Sequence, residues 1–401
     1  MAGDGPKPPL NKGFFYKFNS SNEIKLIKFT LEDNGLCEFQ QVGKHQLLPN
    51  QVKPVRDNWL VMWTTQSLKN GFFQSLSKHQ KVNHFPRSIE LTRKDFLANR
   101  IHRMQDAHGK HHFNFWPRTF ILPKETDQLH MEMEAQPSQY WICKPSNMAQ
   151  GKGIFITNQA RDIAKIQNAI VSHYISNPLT VDKLKFDLRI YVAVTSLNPL
   201  RIYMYEEGLV RFATAEYSAP TNDSITSQKN RFIHLTNYSI NKKNHNGSIA
   251  SHTAKDEAHG SKWSFKALRQ VLREHFVNDE RLFGRIKDIV IKTIISSEPV
   301  LFNAFQMHVP HRSNCFQLFG FDVMIDDELN PWLLEVNLSP SLSCDSPLDH
   351  RIKSHLVADL FNLAGVVNLD QSQQGLQNQT NLFLSGKHGG KSQTTASRIG
   401  N

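Results

Sequence analysis

The segment from Cys315 to Pro340 constrains the fold of this chain more than any other, because carboxylates interrupt two strongly apolar runs there. The runs flank the polar sequence Asp-Asp-Glu-Leu-Asn-Pro, whose residues favour turns. The segment therefore predicts a β-hairpin, and we place the centre of its turn between Glu328 and Leu329. The expected cross-strand partners are then Ile325 with Trp332, Val323 with Leu334, and Asp322 with Glu335.

In this register Asp322 and Glu335 point to the same face of the hairpin, and Asn337 points there too. Two bare carboxylates inside apolar strands would repel each other, and a hard cation with oxygen ligands resolves that repulsion. The three residues therefore predict a magnesium site. The alternative is a surface hairpin with solvated acids, which fits the acids of the turn but not carboxylates inside apolar strands. The turn acids are Asp326, Asp327 and Glu328.

A second segment has the pattern of a loop that covers phosphate groups. Predicted strands at 140–143 and 154–157 enclose the loop Lys144-Pro-Ser-Asn-Met-Ala-Gln-Gly-Lys-Gly153. Lys144 at the end of a strand can bind phosphate oxygens, and the loop glycines let the backbone approach them closely. The glycine spacing matches neither the GxxxxGK[ST] motif nor a dinucleotide-binding fingerprint. Taken alone, the pattern fits a plain hairpin turn better.

The distribution of residues divides the chain into five expected parts. Residues 184–365 begin with a strand of alternating polarity from Phe186 and contain the hairpin. Helical spacing of apolar residues indicates helices near 255–277 and 279–305. The expected parts are a flexible arm at 1–12, an N-terminal α/β domain at 13–92, a central lobe at 93–183, a C-terminal lobe at 184–365 and a disordered tail at 366–401.

The charge balance narrows the classes of partner. The 401 residues include 47 Lys and Arg against 36 Asp and Glu, a formal net charge of +11 that attracts polyanions. Nucleic acid, anionic membrane and acidic protein tails all fit this charge. The four cysteines form no CxxC pair, so no zinc site is expected. We also expect a soluble intracellular chain, since no apolar stretch resembles a signal peptide or a membrane span.

Several motifs, in this order and at this spacing, resemble those of the tubulin tyrosine ligase-like family. They are the Lys144 loop, Lys185-Phe-Asp-Leu-Arg-Ile-Tyr, His234-Leu-Thr-Asn-Tyr-Ser, Gly320-Phe-Asp and Trp332-Leu-Leu-Glu-Val-Asn-Leu-Ser-Pro-Ser. The upstream Asn83-His-Phe-Pro-Arg-Ser-Ile-Glu-Leu-Thr-Arg-Lys-Asp95 resembles the polyglutamylase branch of that family. The resemblance covers residues 57 to 365 and implies an α/β ATP-grasp fold with an additional small N-terminal domain.

The resemblance also implies roles for individual residues. Those expected to contact ATP are Lys144, Gln150, Gly151, Ser172, His173, Tyr174, Ile175, Lys185, Phe186, Asp187, Thr236 and Asn237. Magnesium would be held by Asp322, Glu335 and Asn337, in agreement with the hairpin argument. The incoming glutamate would be bound by Arg211, Ser239 and Lys262. Lys94 and Arg189 are expected catalytic residues near the phosphates or the acceptor, and Gln150 also faces the acceptor chain.

The implied activity is an ATP- and Mg²⁺-dependent ligase that adds free L-glutamate, through an acyl phosphate, to glutamate carboxylates of acidic tubulin tails. Alternatives are a glycine or tyrosine ligase of the same family, a catalytically silent microtubule-binding protein and, without any recognised motif, a nucleic-acid-binding protein. The cations Arg211 and Lys262 disfavour glycine, which has no side-chain carboxylate.

Finer expectations concern the acceptor and the surroundings of the chain. Gln150 favours elongation of a glutamate chain, whereas the upstream motif is closer to initiating enzymes, so both modes stay open. A basic helix is expected near Lys262, Lys266, Arg269 and Arg273. The resemblance implies a monomer with no nucleic-acid or membrane partner. It also implies a place in the cytoplasm at the cytoskeleton, including cilia and basal bodies.

Overall fold

The computed structural model describes residues 15–19, 24–38, 59–148, 151–164, 166–220, 228–241, 244, 258–259 and 261–366. The expected arm at 1–12 and the expected tail, apart from residue 366, lie outside the described residues. So does Gln150. Within the described ranges, no helix is both long and apolar enough to cross a membrane.

The described chain folds into three sheets with helices packed against them. The strands are β1 (Phe15–Asn19), β2 (Cys37–Glu38), β3 (Trp59–Thr64), β4 (Lys81–Val82), β5 (Thr119–Leu122), β6 (Trp141–Pro145), β7 (Phe155–Thr157), β8 (Ala169–His173), β9 (Thr180–Val181), β10 (Leu184–Leu197), β11 (Leu200–Phe212), β12 (Ala258–His259), β13 (Lys262–Ser264), β14 (Gln317–Ile325) and β15 (Pro331–Asn337). The helices are α1 (Lys25–Asp33), α2 (Asn70–Gln74), α3 (Ile89–Thr92), α4 (Lys94–His108), α5 (Thr126–Ala135), α6 (Ala160–Ile163), α7 (Gln228–His234), α8 (Tyr238–Asn241), α9 (Phe265–Glu274), α10 (Asp279–His308) and α11 (Pro347–Ala364).

The three sheets differ in strand direction. The first is parallel, in the order β2-β1-β3-β4. The second is antiparallel, in the order β5-β8-β6-β7. The third and largest is antiparallel, in the order β12-β13-β11-β10-β14-β15, with β9 paired to β10. The first two sheets lie within residues 15–82 and 119–173, and the expected domain boundaries stay predictions.

Strand β10 is central to the largest sheet and carries different side chains on its two faces. Phe186, Leu188 and Ile190 belong to a large apolar core that also contains residues of α9 and α10. Their neighbours Lys185, Asp187 and Arg189 point to the opposite face, because successive side chains of a strand alternate. The expected half-buried strand is therefore buried almost throughout, and its polar face belongs to the candidate site.

The two helices expected near 255–277 and 279–305 are confirmed only in part. α10 buries Leu282, Phe283 and Ile286 at helical spacing, as expected, and extends to His308. The first helix begins later than expected, at Phe265. Residues 262–264 form strand β13, because Lys262 pairs across strands with Arg211. The hydroxyl of Ser264 then caps α9 by accepting a hydrogen bond from the Ala267 N–H at 3.1 Å.

The β14–β15 hairpin confirms the pairing of Asp322 with Glu335, but the expected pairs nearer the turn are wrong by one residue. Val323 lies opposite Leu333 rather than Leu334, and the register shifts between Asp322 and Val323. The paired strands thus contain a one-residue bulge at Leu334. The turn-side partners of Trp332 and Ile325 are likewise Met324 and Pro331. The bulge brings the two carboxylates opposite each other.

Asp326 was expected to be a solvated turn acid, and that expectation is wrong. Only 8% of Asp326 is exposed, and its carboxylate accepts hydrogen bonds from the Asn330 N–H at 2.7 Å and the Trp332 indole N–H at 2.8 Å. The backbone N–H of Asp326 also donates to the Asn330 carbonyl at 3.0 Å. These bonds close a turn centred on Glu328, so each β14 residue near the turn pairs one residue earlier along β15 than expected.

We expect Asp326→Ala to lower the free energy of unfolding by about 1–3 kcal/mol, because it leaves two half-buried donors, the Asn330 N–H and the Trp332 indole N–H, without this acceptor. Urea denaturation of the variant and the wild type measures the loss. The matched control is Asp327→Ala, since Asp327 is the exposed neighbour in the same turn. Equal unfolding free energies for the two variants would show that Asp326 does not stabilise the hairpin.

Candidate active site

A cleft that is partly open to solvent lies between the β5–β8 sheet and the largest sheet. Most residues to which the resemblance gives a role with ATP, metal, glutamate or catalysis line it. They are Lys94, Lys144, Gly151, Ser172, His173, Tyr174, Ile175, Lys185, Asp187, Arg211, Thr236, Asn237, Asp322 and Glu335. Phe186, Arg189, Ser239, Lys262 and Asn337 are not among the lining residues. The cleft therefore brings together residues from segments far apart in the sequence.

The side chain of Phe186 does not fit the expected contact with ATP. It is 1% exposed and packs in the core on the opposite face of β10, with its ring centroid 5.6 Å from that of Phe212. The alternation of side chains along β10 turns Phe186 away from the cleft whenever its neighbours Lys185 and Asp187 face it.

Two lysines extend into the cleft from opposite sheets. Lys144 lies in β6, and its ammonium donates to the Leu334 carbonyl of β15 at 3.4 Å. Lys185 lies at the start of β10 and donates to the Tyr174 hydroxyl at 3.0 Å. Burial lowers the pKa of Lys144 to about 8 and that of Lys185 to about 7. Both groups thus lie where an anion would stabilise their charged forms.

Because of these lowered pKa values, we expect the affinity for ATP to fall as the pH rises from 7.5 to 9. In the free protein Lys144 loses its proton in this range and Lys185 has largely lost it already, so binding of the polyphosphate must be accompanied by proton uptake. The dissociation constant for ATP should rise by at least about tenfold across this interval. Calorimetry in buffers of different ionisation enthalpy measures both the affinity and the proton uptake. Lys144→Arg should flatten the dependence, since arginine stays charged. An affinity independent of pH would contradict the assignment of the lysines to the phosphates.

Tyr174 and His234 extend the Lys185 contact into a chain of hydrogen bonds. The Tyr174 hydroxyl accepts from Lys185 and lies 2.9 Å from His234 Nδ1. Burial, together with Lys185, lowers the pKa of His234 to about 4. His234 is therefore neutral at pH 7, and its Nδ1 can accept a hydrogen bond from the Tyr174 hydroxyl. His234 was not among the expected site residues, although it begins the motif that contains Thr236 and Asn237.

Gly151 lies where the phosphate-loop segment meets residues 231–240. Its φ is +73°, and a Cβ atom placed there would lie 2.5 Å from Ile240 Cδ1 and 3.1 Å from Asn237 Oδ1. The Gly151 carbonyl accepts a hydrogen bond from Arg231 at 2.8 Å. Glycine is required here for both its backbone conformation and its small size.

Ser172, His173 and Ile175 form part of the opposite wall of the cleft. The Ser172 hydroxyl lies 2.8 Å from that of Thr119 on the neighbouring strand. The His173 ring packs edge-on against Trp141, with centroids 4.3 Å apart. This wall is largely aromatic and aliphatic, which suits a planar base more than a phosphate.

A row of alternating charges crosses the largest sheet beneath the cleft. Arg189 donates to both carboxylate oxygens of Asp322, at 2.6 and 3.1 Å. Arg211 lies 2.8 Å from Asp322 and donates to both oxygens of Asp187, with its Nε 2.8 Å from Oδ1. Strand pairing sets these contacts, since Asp187 lies opposite Arg211 and Arg189 lies opposite Asp322. Despite burial, the two guanidinium groups hold the pKa of Asp322 well below its usual value.

The donor chemistry of Asp322, Glu335 and Asn337 fits a magnesium ion. Magnesium commonly takes one or two carboxylates from a protein, together with substrate phosphates. Glu335 lies 3.4 Å from Lys94, and the amide nitrogen of Asn337 donates to the Gly320 carbonyl at 3.2 Å, which leaves the amide oxygen for a cation. In the described part of the chain, His, Cys, Asp and Glu side chains form no metal-binding group of three or more.

Lys262 and Ser239 lie beside the cleft rather than in its lining. Lys262 is opposite Arg211 in the sheet, and its ammonium contacts Asp349 at 2.6 Å. It also lies 3.9 Å from the centroid of the Tyr238 ring. Ser239 follows in the short helix α8. Lys262 is therefore a buried lysine of a strand and not a residue at the start of a basic helix.

The expected basic helix does not present a free cationic face at α9. Arg269 and Arg273 both bind Asp279, with Nε–oxygen distances of 2.5 and 2.9 Å. Asp279 lies in the first turn of α10 and is 4% exposed. One carboxylate thus partly neutralises the two arginines and fastens α9 to α10.

Comparison with known proteins gives a consistent assignment. The family model for the tubulin-tyrosine ligase family matches residues 73–374. Tubulin polyglutamylase TTLL5 of Mus musculus is 45% identical over 325 residues, which cover 81% of this chain and 24% of that protein. Tubulin monoglutamylase TTLL4 of Mus musculus is 44% identical over 328 residues, covering 82% and 27%.

A third relative, tubulin polyglutamylase TTLL6 of Homo sapiens, is 41% identical over 320 residues, covering 79% of this chain and 35% of that protein. The matched region thus spans a quarter to a third of the length of these relatives. The matches confirm the α/β fold class expected from the ATP-grasp resemblance. The chain belongs to the tubulin-tyrosine ligase family, in its polyglutamylase branch.

Proposed function

We propose that this chain is an ATP-dependent protein glutamate ligase that extends glutamate side chains on acidic tubulin tails. The observation that supports the proposal most is the arrangement of charge around one cleft. Lys144 and Lys185 extend into it, and Asp322 and Glu335 lie opposite each other across two of its strands. Arg211 lines the cleft, and its cross-strand neighbour on the next strand is a second cation, Lys262.

ATP would lie in the cleft with its phosphates at Lys144 and Lys185. The base would pack along the wall of His173, Tyr174 and Ile175. The loop at Gly151, with Thr236 and Asn237, would close over the nucleotide. Asp187 adds a fixed negative charge that keeps Arg211 in place. Three contacts support this arrangement. Lys185 is held by Tyr174, Arg211 by Asp187 and the Gly151 carbonyl by Arg231, before any ligand binds.

The magnesium ligands would be Asp322, Glu335 and Asn337. Bound magnesium supplies positive charge at the phosphate oxygens, where negative charge develops during phosphoryl transfer. Asp322 is already fixed by Arg189 and Arg211, which therefore act as positioning residues for this carboxylate. Lys94 lies 3.4 Å from Glu335 and would add a positive charge at the phosphate end of the cleft.

The incoming amino acid would be glutamate, bound by Arg211, Ser239 and Lys262. Two adjacent cations match the two carboxylates of glutamate, whereas glycine and tyrosine carry only one. Arg211 and Lys262 are both more than nine-tenths buried, so a carboxylate that reaches them meets little competition from water. The preference for glutamate over the alternatives rests on this pair.

The reaction would consist of two displacements. A carboxylate oxygen of the acceptor attacks the γ-phosphorus of ATP, the bond to the bridging oxygen breaks, and ADP leaves. The amine of glutamate, after losing a proton to solvent, attacks the carbonyl carbon of the resulting acyl phosphate. An amide bond forms and inorganic phosphate leaves. The protein supplies position and charge rather than a covalent nucleophile.

The acceptor would be the acidic tail of tubulin, and the chain would act as a monomer at the cytoplasmic cytoskeleton. The excess of positive charge, +11 over the chain, supports an acidic partner. Among polyanions, a protein tail suits the cleft because the acceptor must place a carboxylate at the phosphates. We assign elongation to the chain on the identity of Gln150.

The test is incubation of the purified chain with Mg-ATP, tubulin and one amino acid at a time. Intact-mass measurement should find additions of the glutamate residue mass with glutamate, and none with glycine or tyrosine. Fragment spectra separate extension of a chain from a new branch point. Additions with glycine or tyrosine alone would overturn the assignment of glutamate. No addition with any of the three would overturn the ligase proposal.

A further inference from the structure

A second buried charge cluster lies beside the cleft, at the start of α11. Asp349 is fully buried in the first turn of this helix, whose cap residue Ser346 accepts a hydrogen bond from the Asp349 N–H at 3.1 Å. Its Oδ2 lies 2.6 Å from Lys262 Nζ, and its Oδ1 lies 2.7 Å from Lys353 Nζ. Nothing in the proposed reaction uses Asp349, yet a fully buried carboxylate is costly unless it is paired.

Asp349 is the buried carboxylate partner of Lys262, as Asp187 is the buried carboxylate partner of Arg211. Lys262 and Arg211 are cross-strand partners, so their like charges would repel each other if both were uncompensated. Asp187 and Asp322 hold Arg211 from one side. Asp349 holds Lys262 from the other side, and the two cations can therefore remain adjacent.

The position of the Lys262 ammonium is set mainly by its contact with Asp349. A lysine side chain has a flexible four-carbon stem, so its ammonium is not oriented by its own structure. The Tyr238 ring lies 3.9 Å from that ammonium on one side. Among the described residues, the other acid near Lys262 is Asp345, but it is 3.9 Å away and its side chain is 44% exposed, so water screens it. The contact to Asp349 is the shorter and more buried of the two, and it fixes the ammonium.

Counted over the buried side chains that the structure describes, the cluster also has one positive charge in excess. Lys262 and Lys353 share the single carboxylate of Asp349, and all three side chains are at most 10% exposed. Although burial raises it, the two lysines hold the pKa of Asp349 below its usual value, so the carboxylate stays charged. Lys353 also donates to the Ser343 carbonyl at 2.5 Å. This carbonyl partly compensates the charge of Lys353, so the excess positive charge is greater at Lys262, the cross-strand partner of Arg211.

We propose that Asp349 is a positioning residue for the acidic amino-acid substrate, which fixes the Lys262 ammonium beside Arg211 to receive a carboxylate. The inference rests on the proposed function and extends it, since it names a residue that acts through Lys262 without contacting the substrate. Lys353 balances the charge of Asp349 and takes no part in substrate binding.

The test compares four variants, one of which carries all three substitutions, in glutamate ligation and in labelling of Lys262 by an amine-reactive reagent. Asp349→Asn alone leaves two buried lysines without an anion and is prone to unfold, so it is combined with Lys353→Met, which keeps the net charge of the cluster. Lys353→Met alone is the matched control, and Lys262→Met is the reference for loss of the ammonium. Thermal melting checks that each variant is folded.

The combined variant should raise KM for glutamate by about tenfold and leave KM for ATP unchanged, because one charge-assisted contact is misplaced. Lys353→Met should keep the wild-type KM for glutamate. In the Lys262→Met background the combined change should add no further increase, because Asp349 acts through Lys262. An equal KM in the control and the combined variant, or an increase that persists without Lys262, would overturn the inference.

The labelling arm separates this inference from the proposed function. Glutamate should protect Lys262 from the reagent in the wild type and in Lys353→Met, but not in the combined variant. Absence of protection in the wild type overturns the inference even where tubulin gains glutamate. Protection without any ligation by the intact-mass assay overturns the proposed ligase activity and leaves the role of Asp349 in binding supported.

Discussion

Glu335→Gln is expected to lower the rate of glutamate addition by roughly 10²- to 10³-fold while the protein remains folded. Glu335 lies directly opposite Asp322 in the hairpin, and its one ion pair among the described residues is with Lys94 at 3.4 Å. Glutamine keeps the shape and removes the charge that a cation needs. The loss of an ion pair with side chains 13% and 24% exposed costs about 1 kcal/mol or less.

Single-turnover rates with Mg-ATP, tubulin and glutamate measure the effect, and urea denaturation measures the stability. The matched control is Asp327→Asn, an exposed acid in the turn of the same hairpin, which should keep the wild-type rate. Titration with magnesium adds a second readout, because weakened metal binding shifts the concentration needed for half-maximal rate. A normal rate in Glu335→Gln would remove the hairpin carboxylates from the mechanism.

Lys144→Met is expected to raise KM for ATP by roughly 10- to 100-fold, because it removes a charge-assisted contact to the phosphates. The same change should leave the free protein at least as stable as the wild type. Burial lowers the pKa of Lys144 to about 8, which means that its charged form is costly in the folded state without an anion. Methionine fills a similar volume without that cost.

Opposite effects on ligand binding and on stability distinguish this prediction from simple damage to the fold. The measurements are ATP affinity by calorimetry and the free energy of unfolding in urea, both without tubulin. Lys124→Met, at an exposed position outside the cleft, controls for the loss of one positive charge. A destabilised Lys144→Met variant with unchanged ATP affinity would assign Lys144 a structural role in its place.

The central pairing of the site could be predicted from the sequence because the signal is local. Asp322 and Glu335 lie 13 residues apart, interrupt apolar runs and flank one turn, so a hairpin register relates them directly. The bulge at Leu334 could not be predicted, since it depends on how the buried Asp326 side chain closes the turn. The turn centre was misplaced and the bulge was missed, and these two errors shift the register in opposite directions. The predicted pairing of Asp322 with Glu335 is therefore correct.

The contacts between distant strands could not be predicted from pattern alone. The bonds of Arg211 to Asp187 and Asp322 depend on the strand order β11-β10-β14 in the sheet. The same strand pairing explains why Lys262 lies in β13 and not in a helix. Phe186 shows a further limit, because a motif can contain both cleft residues and core residues in alternation.

Buried charge is the common physical feature of the site. Arg189, Arg211, Asp187 and Asp322 form one closed network of two cations and two anions. Lys262, Lys353 and Asp349 form another, with one positive charge in excess. Replacing such networks by apolar side chains is often neutral for stability, so their presence points to a requirement of function. In this account, they orient cations for phosphate and for carboxylate before either ligand binds.

The most direct test of the account is transfer of ¹⁸O from the acceptor to phosphate, because the central claim is that ATP activates an acceptor carboxylate in this cleft. A tubulin-tail peptide with ¹⁸O-labelled glutamate carboxylates is incubated with the chain, Mg-ATP and glutamate, and the released phosphate is analysed by mass. We expect one ¹⁸O in each phosphate released with glutamate addition, and release of labelled phosphate that is roughly 10²- to 10³-fold slower in Glu335→Gln. Glutamate addition that releases only unlabelled phosphate would contradict it.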